Sequence, residues 1–203
     1  MSPNALLTGS TLSLGLVLSS LSLAPPAAAD AGTISGQVVT KMPKLRANVV
    51  VYLDKVSGSF RPPARPVTID QKGMKFIPHV LAVQKGQTVL FLNDDPLRHN
   101  IFSPDNEKYN LGTWAQGDSK PHTFSSTGIY HQLCNVHPEM GAVIVVLDNP
   151  YFAVSGADGT FQIASVPPGK YTLKTWAEKL PEHSQPVTVT AGAPTNLRLE
   201  LGR

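Results

Sequence analysis

From Gly32 onward the chain is a succession of short apolar and polar alternations cut by turn residues, with no convincing helical period. Thr33-Ile-Ser-Gly-Gln-Val-Val-Thr40 alternates as a strand with one buried face does. Asn48-Val-Val-Val-Tyr-Leu53 is a β-branched run, the pattern of a strand covered on both faces. Between Ser57 and Pro66 the alternation gives way to Gly, Ser, Arg and Pro. Proline has no N–H for a ladder, so this segment reads as a linker.

A second block follows. Lys75-Phe-Ile-Pro78, His79-Val-Leu-Ala-Val83 and Thr88-Val-Leu-Phe-Leu92 predict strands, with Lys85-Gly86 as the turn between the last two. Asn93-Asp-Asp-Pro96 interrupts the pattern and His99-Asn-Ile-Phe-Ser103 resumes it. Residues 104–121 are polar, contain Gly112 and Gly117, and predict a loop. Thr123-Phe124 and Ile129 to Cys134 read as strands around the turn at Gly128, and Gly141-Ala-Val-Ile-Val-Val-Leu147 closes the block.

In a third block Asp158-Gly159 is a strong hairpin signal between Tyr151-Phe-Ala-Val and Thr160-Phe-Gln-Ile. Val166-Pro-Pro-Gly169 turns into Tyr171-Thr-Leu-Lys-Thr-Trp176, and Val187 to Thr190 and Leu197 to Leu201 complete the pattern. Only Ala177 to His183 has room for a helical turn. Regular short strands of this kind predict an all-β fold of antiparallel sandwiches or barrels.

Composition narrows the class. Charged residues make up 15% of 203, while there are 18 prolines and 16 glycines, which suits strands and turns better than a helical bundle. The formal charge of +3 comes without a Lys/Arg run, so nucleic-acid binding has little support. Residues 1–29 carry no charged side chain. An apolar run from Thr11 to Ala24 leads to small residues at Ala27 and Ala29, the pattern of an export signal cut near Ala29/Asp30. The run is shorter than the roughly 20 apolar residues that span a bilayer. The expectation is a periplasmic or otherwise secreted protein without stable membrane insertion.

Export makes the single cysteine informative, because Cys134 has no internal disulfide partner and an exposed thiol is a liability in an oxidising compartment. It lies in Tyr130-His-Gln-Leu-Cys-Asn-Val-His-Pro-Glu-Met140, with His137 and Met140 at successive spacings of three. Pro138 fixes φ inside that loop. His99, at the start of another predicted strand, supplies a second imidazole that sheet pairing can bring close. A thiolate, two imidazoles and a thioether are the ligand set of a mononuclear electron-transfer copper site. Three other readings stand beside it. Zinc would have only three good ligands, a catalytic cysteine would use His137 as base and leave Met140 without a task, and a buried structural cysteine needs no partner. Glu139 is an alternative fourth ligand. His131 lies an odd number of residues from Cys134 and so faces the other side of an ideal strand. His79, His122 and His183 sit among polar or turn residues and read as surface groups.

Residues 67–148 resemble a cupredoxin, the blue-copper family that includes plastocyanin, amicyanin and pseudoazurin. The likeness lies in Gly86-Gln-Thr-Val-Leu-Phe-Leu-Asn93 with His99-Asn100, in Thr127-Gly-Ile-Tyr-His-Gln-Leu-Cys134, and in the amicyanin-like spacing of Cys134-Asn-Val-His137-Pro-Glu-Met140. The resemblance implies a Greek-key sandwich holding one type 1 copper through His99, Cys134, His137 and long axial Met140. It also implies bonds from Asn100 and Asn135 that tie the two ligand segments together.

Asp158-Gly-Thr-Phe-Gln-Ile163 and Val166-Pro-Pro-Gly-Lys-Tyr-Thr-Leu173 resemble a carboxypeptidase regulatory-like domain, a transthyretin-like sandwich. That family's opening Gly-x-Val strand and the apolar strand after it occur here only at the N-terminus. The expectation is therefore a sandwich split into residues 31–58 and 149–203, with the copper domain inserted. The rival layout gives 31–58 to the copper domain.

The combination is similar to bacterial methylamine-utilisation-like or plastocyanin-like proteins. That likeness implies a periplasmic copper protein, and the leading expectation is not an enzyme but a one-electron carrier that meets a transient redox partner near His137. The flanking sandwich would offer a glycan or protein contact. Copper storage or delivery, and a non-redox structural or adhesion module, are the alternatives.

Overall fold

The computed structural model describes residues 30–202, so the expected export signal at 1–29 lies outside the described residues. β1 (Gly32–Thr40), a 3-10 turn at Pro43–Arg46 and β2 (Val50–Asp54) come first. The middle of the chain holds β3 (Val67–Gln71), β4 (Phe76–Ile77), β5 (Val80–Gln84), β6 (Thr88–Asn93), β7 (His99–Ser103), β8 (Tyr109–Trp114), β9 (Ser119–Thr123), β10 (Gly128–Leu133) and β11 (Gly141–Leu147). The end of the chain holds β12 (Phe152–Val154), β13 (Thr160–Val166), β14 (Gly169–Trp176), β15 (His183–Val189) and β16 (Pro194–Leu201).

The strands form four sheets, ordered β4-β3-β6-β9, β5-β11-β10-β7-β8, β12-β2-β14-β15 and β13-β1-β16. The first two enclose a core built on Ile69, Phe91, Ile101, Phe124, Tyr130 and Ile144. The last two enclose a second core that includes Ile34, Leu53, Ile163, Leu173 and Leu199. β1 pairs in parallel with β16 and antiparallel with β13, and β2 lies antiparallel between β12 and β14. The N-terminal strands are thus hydrogen-bonded to the end of the chain.

A third apolar layer joins the two sandwiches. Val80, Ala82, Val143 and Val145 meet Val50, with Tyr52, Phe152 and Trp176 packed at the margin. This explains two patterns in the sequence. In β11, Ala142, Ile144 and Val146 point into the first core while Val143 and Val145 point into the joint. In β2, Val51 and Leu53 face the second core while Val50 and Tyr52 face the joint. Both strands need apolar side chains on both faces, which a continuous run supplies. Each fully buried valine contributes about 1.5–3 kcal/mol relative to exposure.

The Asp158-Gly159 turn is as its residues demand. Gly159 has φ 86°, and a Cβ there would stand 2.5 Å from the Val38 carbonyl. Asp158 Oδ1 accepts from the Thr160 amide and hydroxyl at 3.0 and 2.7 Å.

Two local expectations are corrected. Residues 104–121 contain β8 and the start of β9 rather than a loop. Apart from Tyr109, Leu111 and Trp114 these strands present mainly exposed or polar side chains, so the apolar alternation is too sparse to read. Ala177 to His183 form no helix, only a turn before β15, and the 3-10 turn at Pro43–Arg46 is the one helical piece among the described residues. Proline at the start of that turn presets φ for it.

Candidate metal centre

The centre is assembled from two loops at one end of the first sandwich. β10 and β11 pair antiparallel down to Leu133 opposite Gly141, so residues 134–140 form the hairpin connection. The pairing therefore brings Cys134, His137 and Met140 to the same sheet end. Inside the loop the Met140 amide donates to the His137 carbonyl at 3.0 Å. His99 opens β7, whose neighbour is β10.

Its approach is held by Asn93, whose amide nitrogen donates to the carbonyls of Leu97 and Trp114 at 2.9 and 3.1 Å. Asn93 Oδ1 accepts from the Asp95 amide at 3.0 Å. This is the Asx-turn role that suits asparagine before a proline-containing turn.

His99, Cys134 and His137 each place one ligand atom within 4.8 Å of the other two. The Nδ1 atoms of His99 and His137 stand 3.0 Å apart. Two imidazole nitrogens each about 2.0 Å from one ion lie roughly 3 Å apart, so the pair is spaced as ligands of a shared metal. His99 is fully buried, Cys134 is 3% exposed and Met140 1%, whereas His137 is half-buried. Cys134 and Met140 belong to one core cluster. Glu139 is exposed and lies outside the ligand group found among the described residues.

The surrounding bonds order this set. The Asn100 amide donates to Cys134 Sγ at 3.4 Å, and Asn100 Oδ1 accepts from the Asn135 amide at 3.3 Å. Asn100 Nδ2 donates to Asn110 Oδ1 and the Gly112 carbonyl, both at 2.8 Å. Asn100 therefore connects the histidine strand, the cysteine loop and β8. The part played by Asn135 is its backbone amide.

Sequence reasoning does not single out Asp95 as a site residue. Its Oδ2 lies 2.8 Å from His99 Nε2 and accepts from the Met74 amide at 2.9 Å, while Oδ1 accepts from the Gly73 amide at 2.6 Å. Burial alone would raise its pKa, but the Met74 and Gly73 amides and His99 outweigh burial and hold it below the usual carboxylate value. The available signal is the i, i+4 spacing of Asp95 and His99 across Pro96.

The other histidines stand apart from this group. His131 is exposed and pairs through Nδ1 with Asp105 at 2.9 Å. His122 is partly buried, stacked on Tyr109 with ring centroids 3.9 Å apart, and meets Glu107 at 3.3 Å, so it is less of a surface group than its sequence context suggests. His79 joins Glu178 at 2.7 Å and the Gly141 carbonyl at 3.1 Å, and His183 joins Gln185 at 3.1 Å.

Residues 64–147 match the family described as copper binding proteins of the plastocyanin/azurin family. Residues 137–202 match the carboxypeptidase regulatory-like domain, a match that starts at His137 and leaves β1 and β2 outside it. Over these two stretches, each less than half of its length, the chain is similar to plastocyanin/azurin-family copper binding proteins and to carboxypeptidase regulatory-like domains.

Similar solved structures include a copper-containing nitrite reductase from Thermus scotoductus SA-01, at 26% identity over 55% of this chain and 28% of that one, with a TM-score of 0.41. A purple cupredoxin from Nitrosopumilus maritimus is 26% identical over 40% of this chain and 99% of its own, with a TM-score of 0.37. A reduced amicyanin variant is 21% identical over 48% of this chain and 98% of its own, with a TM-score of 0.40. The chain thus spans about 28% of the nitrite reductase. No curated protein matches the chain.

Proposed function

We propose that the protein is an exported one-electron carrier with a single type 1 copper that His99, Cys134, His137 and Met140 would hold. The observation that carries this reading is the convergence of two imidazole Nδ1 atoms and the Cys134 sulfur in a largely buried group beside a buried thioether. Soft sulfur with imidazole favours copper over zinc, which takes thioether poorly. Bound copper would supply one-electron redox chemistry.

The protein's share of that chemistry is to hold the ligands nearly unchanged between the two oxidation states and to exclude water. Burial of His99, Cys134 and Met140 suits an electron carrier better than a catalyst, which needs an open coordination position. His137 is the ligand nearest solvent, so its ring edge is the route for the electron. Leu97 and Val136 are exposed at 45% and 48%, on the loops that carry His99 and His137. With Pro138 they form an apolar patch for a redox partner that docks briefly through a small interface.

The flanking sandwich, made from residues 31–58 and 149–203 around the inserted copper domain, serves as a rigid mount and as a protein or glycan contact. The pairing of β1 and β2 with the C-terminal strands supports that layout. The uncharged segment before Asp30 supports export to the periplasm or beyond.

Repeated reduction and reoxidation of the copper-loaded chain tests the proposal. A carrier completes many cycles at one midpoint potential with its copper retained. Release of the metal on either half-cycle would favour storage or delivery and contradict the carrier reading.

A further inference from the structure

We propose that Asp95 is a positioning residue for this centre: its carboxylate fixes the His99 tautomer that leaves Nδ1 free for the ion, and its buried negative charge favours the oxidised metal. The inference rests on the copper reading above.

The tautomer follows from the hydrogen bonds. Oδ1 of Asp95 faces the Gly73 N–H and Oδ2 faces the Met74 N–H, so both oxygens already act as acceptors. The contact at 2.8 Å from Oδ2 to His99 Nε2 therefore needs a proton on Nε2. A neutral His99 then has a bare Nδ1, the atom that faces His137 Nδ1. A carboxylate on the outer nitrogen of a ligating imidazole also fixes the ring and raises its basicity.

The charge argument is separate. Asp95 is 6% exposed and pairs with no lysine or arginine among the described residues; Lys72 nearby pairs with Asp94 instead. Its charge is met only by two backbone dipoles and the imidazole N–H, so its field reaches the ion through His99 with little screening. The oxidised ion carries one more positive charge than the reduced one, so a fixed anion here lowers the reduction potential. A carboxylate that merely clamped the Gly73–Met74 turn would need neither the His99 contact nor its position behind the ligand.

Two measurements test this. In the metal-free wild-type chain, 15N NMR of His99 should find the proton on Nε2 and none on Nδ1; the opposite tautomer overturns the first half. In the copper-loaded chain, Asp95→Asn keeps shape and removes charge. It should raise the ratio of Cu(I) to Cu(II) affinity about tenfold, which is 59 mV in midpoint potential for one electron. Asp95→Glu should restore most of the shift.

A lowered melting temperature with an unchanged potential in Asp95→Asn would mean a structural clamp only and defeats the second half. If Asp95→Asn does not fold, Asp95→Glu decides: a potential near wild type supports the charge role, and a rise as large as loss of the anion would cause opposes it. A wild-type chain that takes up no coloured copper would sink the carrier reading, while the metal-free tautomer measurement would still judge Asp95.

Discussion

The two sandwiches share a strand architecture but differ in what they bury. The first encloses Gln71, Gln84, Gln87, Asn93, Asp95, His99, Asn100, Ser103 and Gln132, whereas the buried polar side chains near the second are Asn149, Ser155 and Thr175. Burying polar groups is costly unless each finds partners, so a polar interior is retained where it does something packing alone does not. In the first sandwich Asn93, Asp95 and Asn100 gather at the end that holds His99 and Cys134, while Gln84 and Gln87 lie at the opposite end, where Gln84 pairs with Leu147. Asn93 braces the first-histidine turn, Asp95 holds the ring of His99, and Asn100 ties that strand to the cysteine loop. The second sandwich has an apolar core and no comparable network among the described residues.

That contrast can be broken experimentally. The largest effect belongs to Cys134→Ser, which removes the thiolate and should abolish thiolate-to-copper absorption while leaving the second sandwich folded. Visible spectroscopy with circular dichroism checks this, and retained colour would show that the wrong ligand has been chosen.

Val143→Asp places an unpaired carboxylate in the apolar joint beside Val50 and Val80. It should destabilise the chain by about 3 kcal/mol or more in urea unfolding. Separation of one transition into two would show that the joint couples the sandwiches, and no change would mean it does not.

Asn100→Ala takes the acceptor from the Asn135 amide and the Asn100 donor from the Gly112 carbonyl and from Asn110 Oδ1, which keeps only its bond from the Gly112 amide. A loss of about 1–3 kcal/mol is expected, with a shifted copper potential. A stability loss without any change at copper would reduce Asn100 to a structural bond.

The smallest effect is acid sensitivity at Glu107. Burial would raise its pKa, but bonds from the Ser125 hydroxyl, the Ser126 and Ser125 amides and His122 outweigh it and hold the value below normal. A carboxylate with a depressed folded pKa adds stability above its unfolded value and loses it as pH falls through the folded one. Glu107→Gln should therefore be less stable than wild type at neutral pH, with the gap closing as the solution is acidified through the carboxylate range. Thermal melts against pH check the sign.

Much of the fold is legible in the sequence because its signals are local. Asp158-Gly159 specifies its turn, Thr33 to Thr40 alternates, the β-branched run at 48–53 announces a strand covered on both faces, and the run at 141–147 announces a strand. What covers them is not legible, since the joint is made by residues far apart in the chain, such as Val50 and Val143. β8 and β9, edge strands of two different sheets, are hidden because they have few inward apolar residues, and their register rests on long-range backbone pairing to β7 and β6.

At the centre, residue types and spacing pick out His99, Cys134, His137 and Met140. The roles of Asp95 and Asn93 emerge only in three dimensions, since aspartate and asparagine before a proline read equally well as ordinary turn residues.

The most direct test of the account is the visible absorption spectrum of the purified chain loaded with Cu(II). Ligation by Cys134 between His99 and His137 predicts an intense blue to green thiolate-to-copper charge-transfer band that vanishes on reduction and returns on reoxidation. A colourless protein that binds only Cu(I), or one that takes up no copper, would contradict it.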